Sequence, residues 1–317
     1  MTTKRNLEIV RYQSSMSEEW NDAIRNAENG IFLFNRKYMD YHAHRFVDHS
    51  LVVKENGTIL ALLPANEQSA CIYSHQGLTY GGWIFCKRMN AGDVNQLFVM
   101  MESYYKEQGI REIAYKHKPS IFSSRICETD AWMLWHHGYE MWRRDLNFVI
   151  DLQCNPGFAH DKHYRLNKSK RNDLRIETQG NVKELMSLVT HNLKERFQLS
   201  PTHTSDEAEL LQQRFPDNIY TINVYRGDEF LGGTWLFVDN QFIHTQYLHS
   251  SDNGKVLCAI EFLVDYLIDR YRNQKRYLSF GTSTEFDGKV LNEGLAAFKE
   301  GFGASGVCHD FYKKQLC

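Results

Sequence analysis

Proline is scarce in this sequence, with 5 residues in 317 beside 20 glycines. That excludes collagen-like and linker-dominated chains. No apolar run approaches the ~20 residues that a membrane-spanning helix needs. The N-terminal Met1-Thr2-Thr3-Lys4-Arg5-Asn6 leads into no apolar signal segment. An excess of one charge is missing too: 37 Lys and Arg face 39 Asp and Glu, a net charge of −2. Duplex DNA calls for a clear basic excess, so it is not an expected partner. The seven cysteines, at 71, 86, 127, 154, 258, 308 and 317, are odd in number and form no C-x-x-C. A disulfide framework and a cysteine zinc site are therefore poor readings. Reduced thiols fit better, and the expectation is a soluble protein of the cytoplasm.

Several signatures of catalysis are absent as well. There is no G-x-S-x-G nucleophile elbow and no Walker A loop. The densest histidine clusters, His42-x-His44 and His136-His137, lack H-E-x-x-H spacing and an obvious third ligand, so no metal is expected. A literal G-x-G-x-x-G occurs at Gly301, Gly303 and Gly306. It ends a helical stretch (291–300) and precedes a strand-like one (307–314). A dinucleotide fingerprint has the reverse order. A helix C-cap and a tight turn explain these glycines better.

What is present is apolar material for two cores: 42% hydrophobic and 13% aromatic residues, over a length that suggests about two domains. Residues 17–28 read as a helix, with Ser17 as N-cap and Gly30 as stop. Apolar runs at 46–54 and 58–64 flank Asn56-Gly57, the strongest short hairpin signal. A strand at 70–75 follows. Residues 92–108 then carry Val94, Leu97, Phe98, Met101, Tyr104 and Tyr105 on one helical face, and 110–115 reads as a buried strand. The second half repeats the order. A hairpin spans 219–226 and 229–238, a strand 241–248, a helix 255–271 and a strand 276–280. In that helix Glu261, Asp265 and Asp269, four apart, mark the wet face. The break between halves is expected at 152–161, around Asn155-Pro156-Gly157.

Three segments carry candidate chemistry. Strand 241–248 runs into Ser250-Ser251-Asp252-Asn253-Gly254-Lys255 and a helix. Such a turn offers free backbone N–H groups to an anion such as a pyrophosphate, although, taken alone, an ordinary strand-to-helix turn with Gly at the bend accounts for it better. Residues 162–175 supply Lys162, Arg165, Lys168, Lys170, Arg171 and Arg175 with no acidic residue before Asp173. They suit phosphates, or a solvated helix face. Lys299 sits between Phe298 and Phe302 near Gly301, where a lysine either snorkels or works.

Together these pieces resemble the GNAT superfamily of acyltransferases. More closely, the chain is similar to the double-GNAT branch that holds the Fem-type peptidyl transferases and polysaccharide-cluster N-acetyltransferases. The carriers are FNRKYMDYH (34–42), YSHQGLTYGG (73–82), HYRLNKSKRNDLR (163–175), HTQYLHSSDNGK (244–255) and SFGTSTEFDGKVLNEGLAAFKEGFG (279–303), and they cover nearly the whole chain. The resemblance implies an α/β (α+β) fold of two tandem GNAT-like units, each a twisted, mixed, mainly antiparallel sheet flanked by helices. Residues 1–152 would form the acceptor side and 153–317 the donor and catalytic side.

The resemblance also implies site residues. Strand 241–248 would cradle the acyl carbonyl through backbone N–H near Gln246 and Tyr247. Asn253, Gly254, Lys255 and Val256 would meet the pyrophosphate, although the loop lacks the full Gln/Arg-x-x-Gly-x-Gly/Ala pattern. Lys299, in the F-K-x-x-F-G-like motif Phe298–Gly303, would stand at the reaction centre. Glu293 or His244, with Glu285 as a further choice, would take the acceptor's proton. Arg36, Tyr38, His75 and Tyr80, with Arg165 and Arg171 of the basic run, would bind the acceptor in the first unit and the cleft between units.

Three functions follow. The leading one is transfer from acyl-CoA, with acetyl-CoA foremost, to an amine of an amino sugar or cell-surface precursor. The second is aminoacyl-tRNA-dependent extension of a peptide on a nucleotide-linked precursor. Near-neutral charge argues against extensive RNA contact and ranks it behind. The third is a binding module that keeps the fold without catalysis.

Overall fold

A computed structural model describes residues 5–154 and 156–316. Met1–Lys4, Asn155 of the expected break and Cys317 lie outside the described residues. The chain divides into two compact units. One comprises 1–145, 287–289 and 308–317, and the other 146–286 and 290–307.

In the first unit, strands β1 (Leu51–Glu55) and β2 (Thr58–Leu63) form the expected hairpin. Asn56 and Gly57 both take positive φ, 51° and 79°, which a two-residue hairpin turn of this hand requires. Strand β3 (Cys71–Tyr73), helix α1 (Ala91–Glu107) and strand β4 (Glu112–Lys116) follow. An Asn90/Asp93 capping box starts α1, satisfying two backbone donors that the helix start leaves free. Val94, Leu97, Phe98, Met101 and Tyr105 are buried as the period predicts, against Leu51, Ile72 and Ile113. Strands β1 and β2 lie in a sheet of order Glu8–Arg11, β1, β2, Ile84–Phe85, separate from the sheet that holds β3 and β4. The first helix covers Ser17–Arg25, directly after the 3-10 turn Ser14–Met16. Its N-cap is Met16, which offers no side-chain cap, so Ser17 does not cap it.

Strand β5 (Glu140–Asp151) carries the chain from the first unit into the second. There α2 (His160–Ser169) precedes the hairpin β6 (Ile219–Arg226) and β7 (Glu229–Val238). Next come β8 (Phe242–Ser250), α3 (Asp252–Val256), α4 (Ala259–Tyr271), β9 (Tyr277–Thr282), α5 (Glu293–Glu300) and β10 (Ser305–Gln315). Strands β6, β7 and β8 are antiparallel neighbours, β8 pairs parallel with β9, and β9 pairs antiparallel with β5. Helix α4 buries Leu263, Val264 and Leu267 against Ile222, Leu236, Ile243 and Leu278.

Two expectations in this unit need correction. The single helix expected over 255–271 is broken, because Cys258 adopts a left-handed φ of 61° between α3 and α4. Glu261 does not face water. It is 2% exposed, drawn inward by Lys162 Nζ at 3.0 Å and Arg165 Nε at 2.7 Å. Two cations on α2 outweigh the helical period at that position. At α5 two of the three glycines behave as expected, while Gly306 lies within β10. Gly301 is the C-cap, and Gly303 takes φ 87° in the turn that follows. No helix among the described residues is long and apolar enough to cross a membrane.

Candidate active site

The parallel pairing of β8 with β9 lasts three residues: Phe242 with Tyr277, Ile243 with Leu278, His244 with Ser279. Beyond that point β8 continues to Ser250 and β9 to Thr282, and among the described residues the ladder between them ends. Each strand bears a bulge where they part. On β8, Thr245 faces Leu236 and Tyr247 faces Trp235, so Gln246 is the extra residue. On β9, Ser279 faces Val149 and Thr282 faces Asn147, so Phe280 and Gly281 stand against Phe148 alone. A bulge re-aims the backbone it interrupts. Gly281 takes φ 71° here, which a residue with a side chain adopts reluctantly.

Lys299 reaches this opening from the last turn of α5. Its Nζ donates to the carbonyls of Gly281 at 2.9 Å and Thr282 at 2.6 Å. The side chain is 5% exposed, and no carboxylate pairs with it among the described residues. Burial pushes its pKa down to about 7, because an ammonium in apolar surroundings loses its hydration. His244 lies alongside. Its Nδ1 is 3.0 Å from Ser279 Oγ, and a Cβ on Gly281 would stand 3.2 Å from its Cε1. Burial, and then the charge of Lys299, depress its pKa to about 4 against the opposing effect of Gln246. At neutral pH the imidazole is therefore uncharged. Gln246 Oε1 and Asn147 Nδ2 are buried and have no hydrogen-bond partner among the described residues. Asn147 sits opposite Thr282 in the ladder, so polar groups flank the opening on three strands.

Lys299, His244 and Gln246 are thus gathered by the structure, whereas Glu293 is not. It is exposed in the first turn of α5, six residues from Lys299 or about 9 Å along the axis at 1.5 Å per residue. Glu285 is exposed and accepts from Asn292 Nδ2 at 2.8 Å. Tyr247 stacks on Trp235, its hydroxyl 3.1 Å from His203 Nδ1. About 20 Å of strand, at ~3.3 Å per residue, runs from His244 to the loop after Ser250.

In that loop Ser251 caps α3, its Oγ accepting from Gly254 N at 3.0 Å. Lys255 is tied to Asp252, and Asn253 donates to Glu229 at 2.7 Å. Val256 is 60% exposed. Gly254 is needed for close approach, because a Cβ there would stand 2.0 Å from the Leu231 carbonyl oxygen. Arg165, besides Glu261, donates to the Lys255 carbonyl at 3.1 Å. Arg171 is exposed in the turn after α2.

The four candidates in the first unit are buried. Arg36 pairs with Asp40 at 2.6 Å and Asp48 at 2.7 Å and lies over Tyr12. Tyr38 packs edge-on against Phe32 and Tyr41. His75 stacks on His42, and Tyr80 packs on Phe122 and His309. Sequence reasoning passed over Asn147, Ser279 and Gly281. The lone glycine inside a strand pattern was the available signal for the last of these. No group of three His, Cys, Asp or Glu side chains that could hold a metal occurs among the described residues.

A solved structure described as FemX superposes with a TM-score of 0.67 at 12% identity, covering 96% of either chain. A tandem GNAT protein from the clavulanic acid biosynthesis pathway superposes at 0.52 with 11% identity, covering 98% of this chain and 99% of that one. The chain has a tandem GNAT fold. A structure of L-PGS from Bacillus licheniformis superposes over 80% of each chain, at a TM-score of 0.52 and 12% identity. No family model matches the sequence, and no curated protein does. Identities this low speak for the fold alone, and function has to be argued from the site.

Proposed function

We propose that the chain is a GNAT-type acyltransferase that moves an acyl group from acyl-CoA, acetyl-CoA foremost, to an amine of an amino sugar or similar cell-surface precursor. The observation that carries this reading is the opening between β8 and β9, where two strands part beside a buried ammonium. The second unit holds the donor and the first the acceptor, and an acyl-CoA donor implies work in the cytoplasm.

In this reading the acceptor amine attacks the donor carbonyl directly, and no covalent enzyme intermediate forms. The bond from nitrogen to the carbonyl carbon closes, and the carbonyl oxygen gains negative charge. The Lys299 ammonium, fixed by two backbone carbonyls, keeps a third N–H to offer that oxygen. A preorganised charge in a site that excludes water favours the transition state over the ground state. The tetrahedral intermediate then collapses and expels the thiolate of CoA. His244, uncharged at neutral pH, takes the proton that the amine must lose.

A second reading keeps the reaction and changes the donor to an aminoacyl-tRNA. The loop after β8 favours it. Gly254 N is already bonded to Ser251, Lys255 is tied to Asp252, and Asn253 is held by Glu229. Little there remains to grip a pyrophosphate.

Titrating the protein with acetyl-CoA while following its melting temperature separates the two. Ligand at ~100 times its Kd stabilises the native state by about 2.7 kcal/mol. A clear rise supports acyl-CoA. A flat titration refutes that donor, and turnover with charged tRNA then decides between the second reading and a module without catalysis.

A further inference from the structure

The first unit contains an opening of the same topology. Strands β3 and β4 pair parallel for three residues, Cys71 with Glu112, Ile72 with Ile113, Tyr73 with Ala114. Then β3 stops, and the chain turns away at His75 with φ 71°. A lysine closes the gap here too. Lys116, the last residue of β4, donates from Nζ to the carbonyl of His75 at 3.2 Å and to that of Leu78. As with Lys299, both partners are backbone carbonyls, and no carboxylate pairs with Lys116 among the described residues. A histidine with a depressed pKa again stands beside it: burial first, then His42, Lys116 and Arg36, push His75 down to about 3.

A cavity of about 280 Å³ lies at this point. Tyr73, Trp142 and Phe311 give it aromatic walls, and Lys116 and Arg143 stand at its edge. Their cationic groups lie 5.9 and 4.6 Å from the Phe311 ring centroid. Arg143 is already neutralised by Asp145 at 2.8 Å and Asp287 at 3.1 Å. Lys116 has no carboxylate within ion-pairing distance among the described residues; burial and then Arg143 lower its pKa to about 8 against the longer-range pull of Asp145, so at neutral pH it is mostly an ammonium. It has three N–H donors and uses two. A cavity of ~150 Å³ holds a benzene ring, so this one accommodates a ring with a head group.

We propose that the first unit carries a second ligand site, at the divergence of β3 and β4, for a small anion with a flat body. The ring lies among Tyr73, Trp142 and Phe311, and the anionic group meets the third N–H of Lys116. A carboxylate or a phosphate monoester supplies that chemistry. The site does not depend on the acyl-transfer reading.

Calorimetric titration tests it on the full chain with no donor present, so a failure here is distinct from a failure to turn over. The probes are 4-hydroxyphenylacetate and uridine 5′-monophosphate, each beside its neutral counterpart, 4-hydroxyphenylacetamide and uridine. One or both anions should bind with a Kd below ~1 mM and at least tenfold more tightly than the neutral form. Whichever binds identifies the head group. Lys116→Met should weaken that binding tenfold or more. Trp142→Ala, at a residue 40% exposed and therefore compatible with folding, should weaken anion and neutral form alike. Equal affinity for charged and neutral probes, no binding of either anion, or binding unmoved by both variants overturns the proposal.

Discussion

Lys299 shows how much one side chain can carry and how little of that its letter discloses. Its neighbours Phe298 and Phe302 are visible in the sequence, but the two carbonyls that hold it are not. They come from a bulge on strand β9, turned by Gly281. The cost of keeping that ammonium has a pH signature. An unfolded lysine titrates near 10.5 and the folded one near 7, so between those values the unfolded chain binds more protons. Stability attributable to Lys299 therefore rises as pH climbs from 7 toward 10.5, and the penalty is fully present below 7. Against Lys299→Met, the wild type should gain in urea-unfolding free energy between pH 7 and pH 9.5. A difference that stays constant over that range would mean the lysine is ordinary. The same variant should lower kcat by roughly 10²–10³, the usual size for a lost oxyanion donor. Unchanged turnover would remove Lys299 from the reaction. Glu261 is the complementary case. Burial alone would raise its pKa, but Arg165 and Lys162 hold it below the usual carboxylate range. Glu261→Gln leaves two cations without their partner and should cost about 3–5 kcal/mol in chemical denaturation. A loss under 1 kcal/mol would show the pair to be a solvated one.

At the scale of elements, both hairpins and α1 could be read from the sequence, because each rests on a local signal. Asn56-Gly57 sets one turn, the two residues between the apolar runs 219–226 and 229–238 set the other, and the apolar residues of 92–108 recur at helical spacing. The break at Cys258 was illegible. A left-handed cysteine has no local signature, and the apolar period runs on through it. The two bulges were hidden for a similar reason, since a bulge shifts the alternation by one residue and leaves composition unchanged. Gly254 was visible but for another purpose. Its absent side chain lets α3 start against the Leu231 carbonyl, where a Cβ would stand at 2.0 Å. Gly254→Ala should therefore push α3 off β7 and destabilise the second unit by ~1–3 kcal/mol, the usual cost of overpacking. Equilibrium urea unfolding measures it. An unaltered midpoint would leave this glycine without a packing role.

At the scale of the whole molecule, the repeat of hairpin, strand, helix and strand was apparent in the pattern, but its different use in the two units was not. Strands β6 to β9 stay within one sheet, whereas β1 and β2 leave β3 and β4 for a sheet of their own. Strand partners are chosen by non-local contacts that the alternation of a single hairpin does not report. The same holds for the end of the chain, where β10 begins in the second unit and finishes in the first. There Phe311–Gln315 pair antiparallel with β4 from Lys116 back to Glu112, and Lys314 Nζ meets Glu102 at 2.7 Å. The first unit is thus closed by residues that are far away in sequence. A chain ending at Val307 strips β4 of this neighbour and uncovers the cavity wall at Phe311. Strands β6 to β8 keep every one of their own ladder partners. Hydrogen exchange should accordingly speed up by at least about tenfold at Glu112–Lys116, equivalent to ~1.4 kcal/mol of lost local stability. The amides of Ile219–Val238 should exchange as before. If both segments lose protection together, the two units unfold as one cooperative body, and the division of the chain into separately stable halves fails.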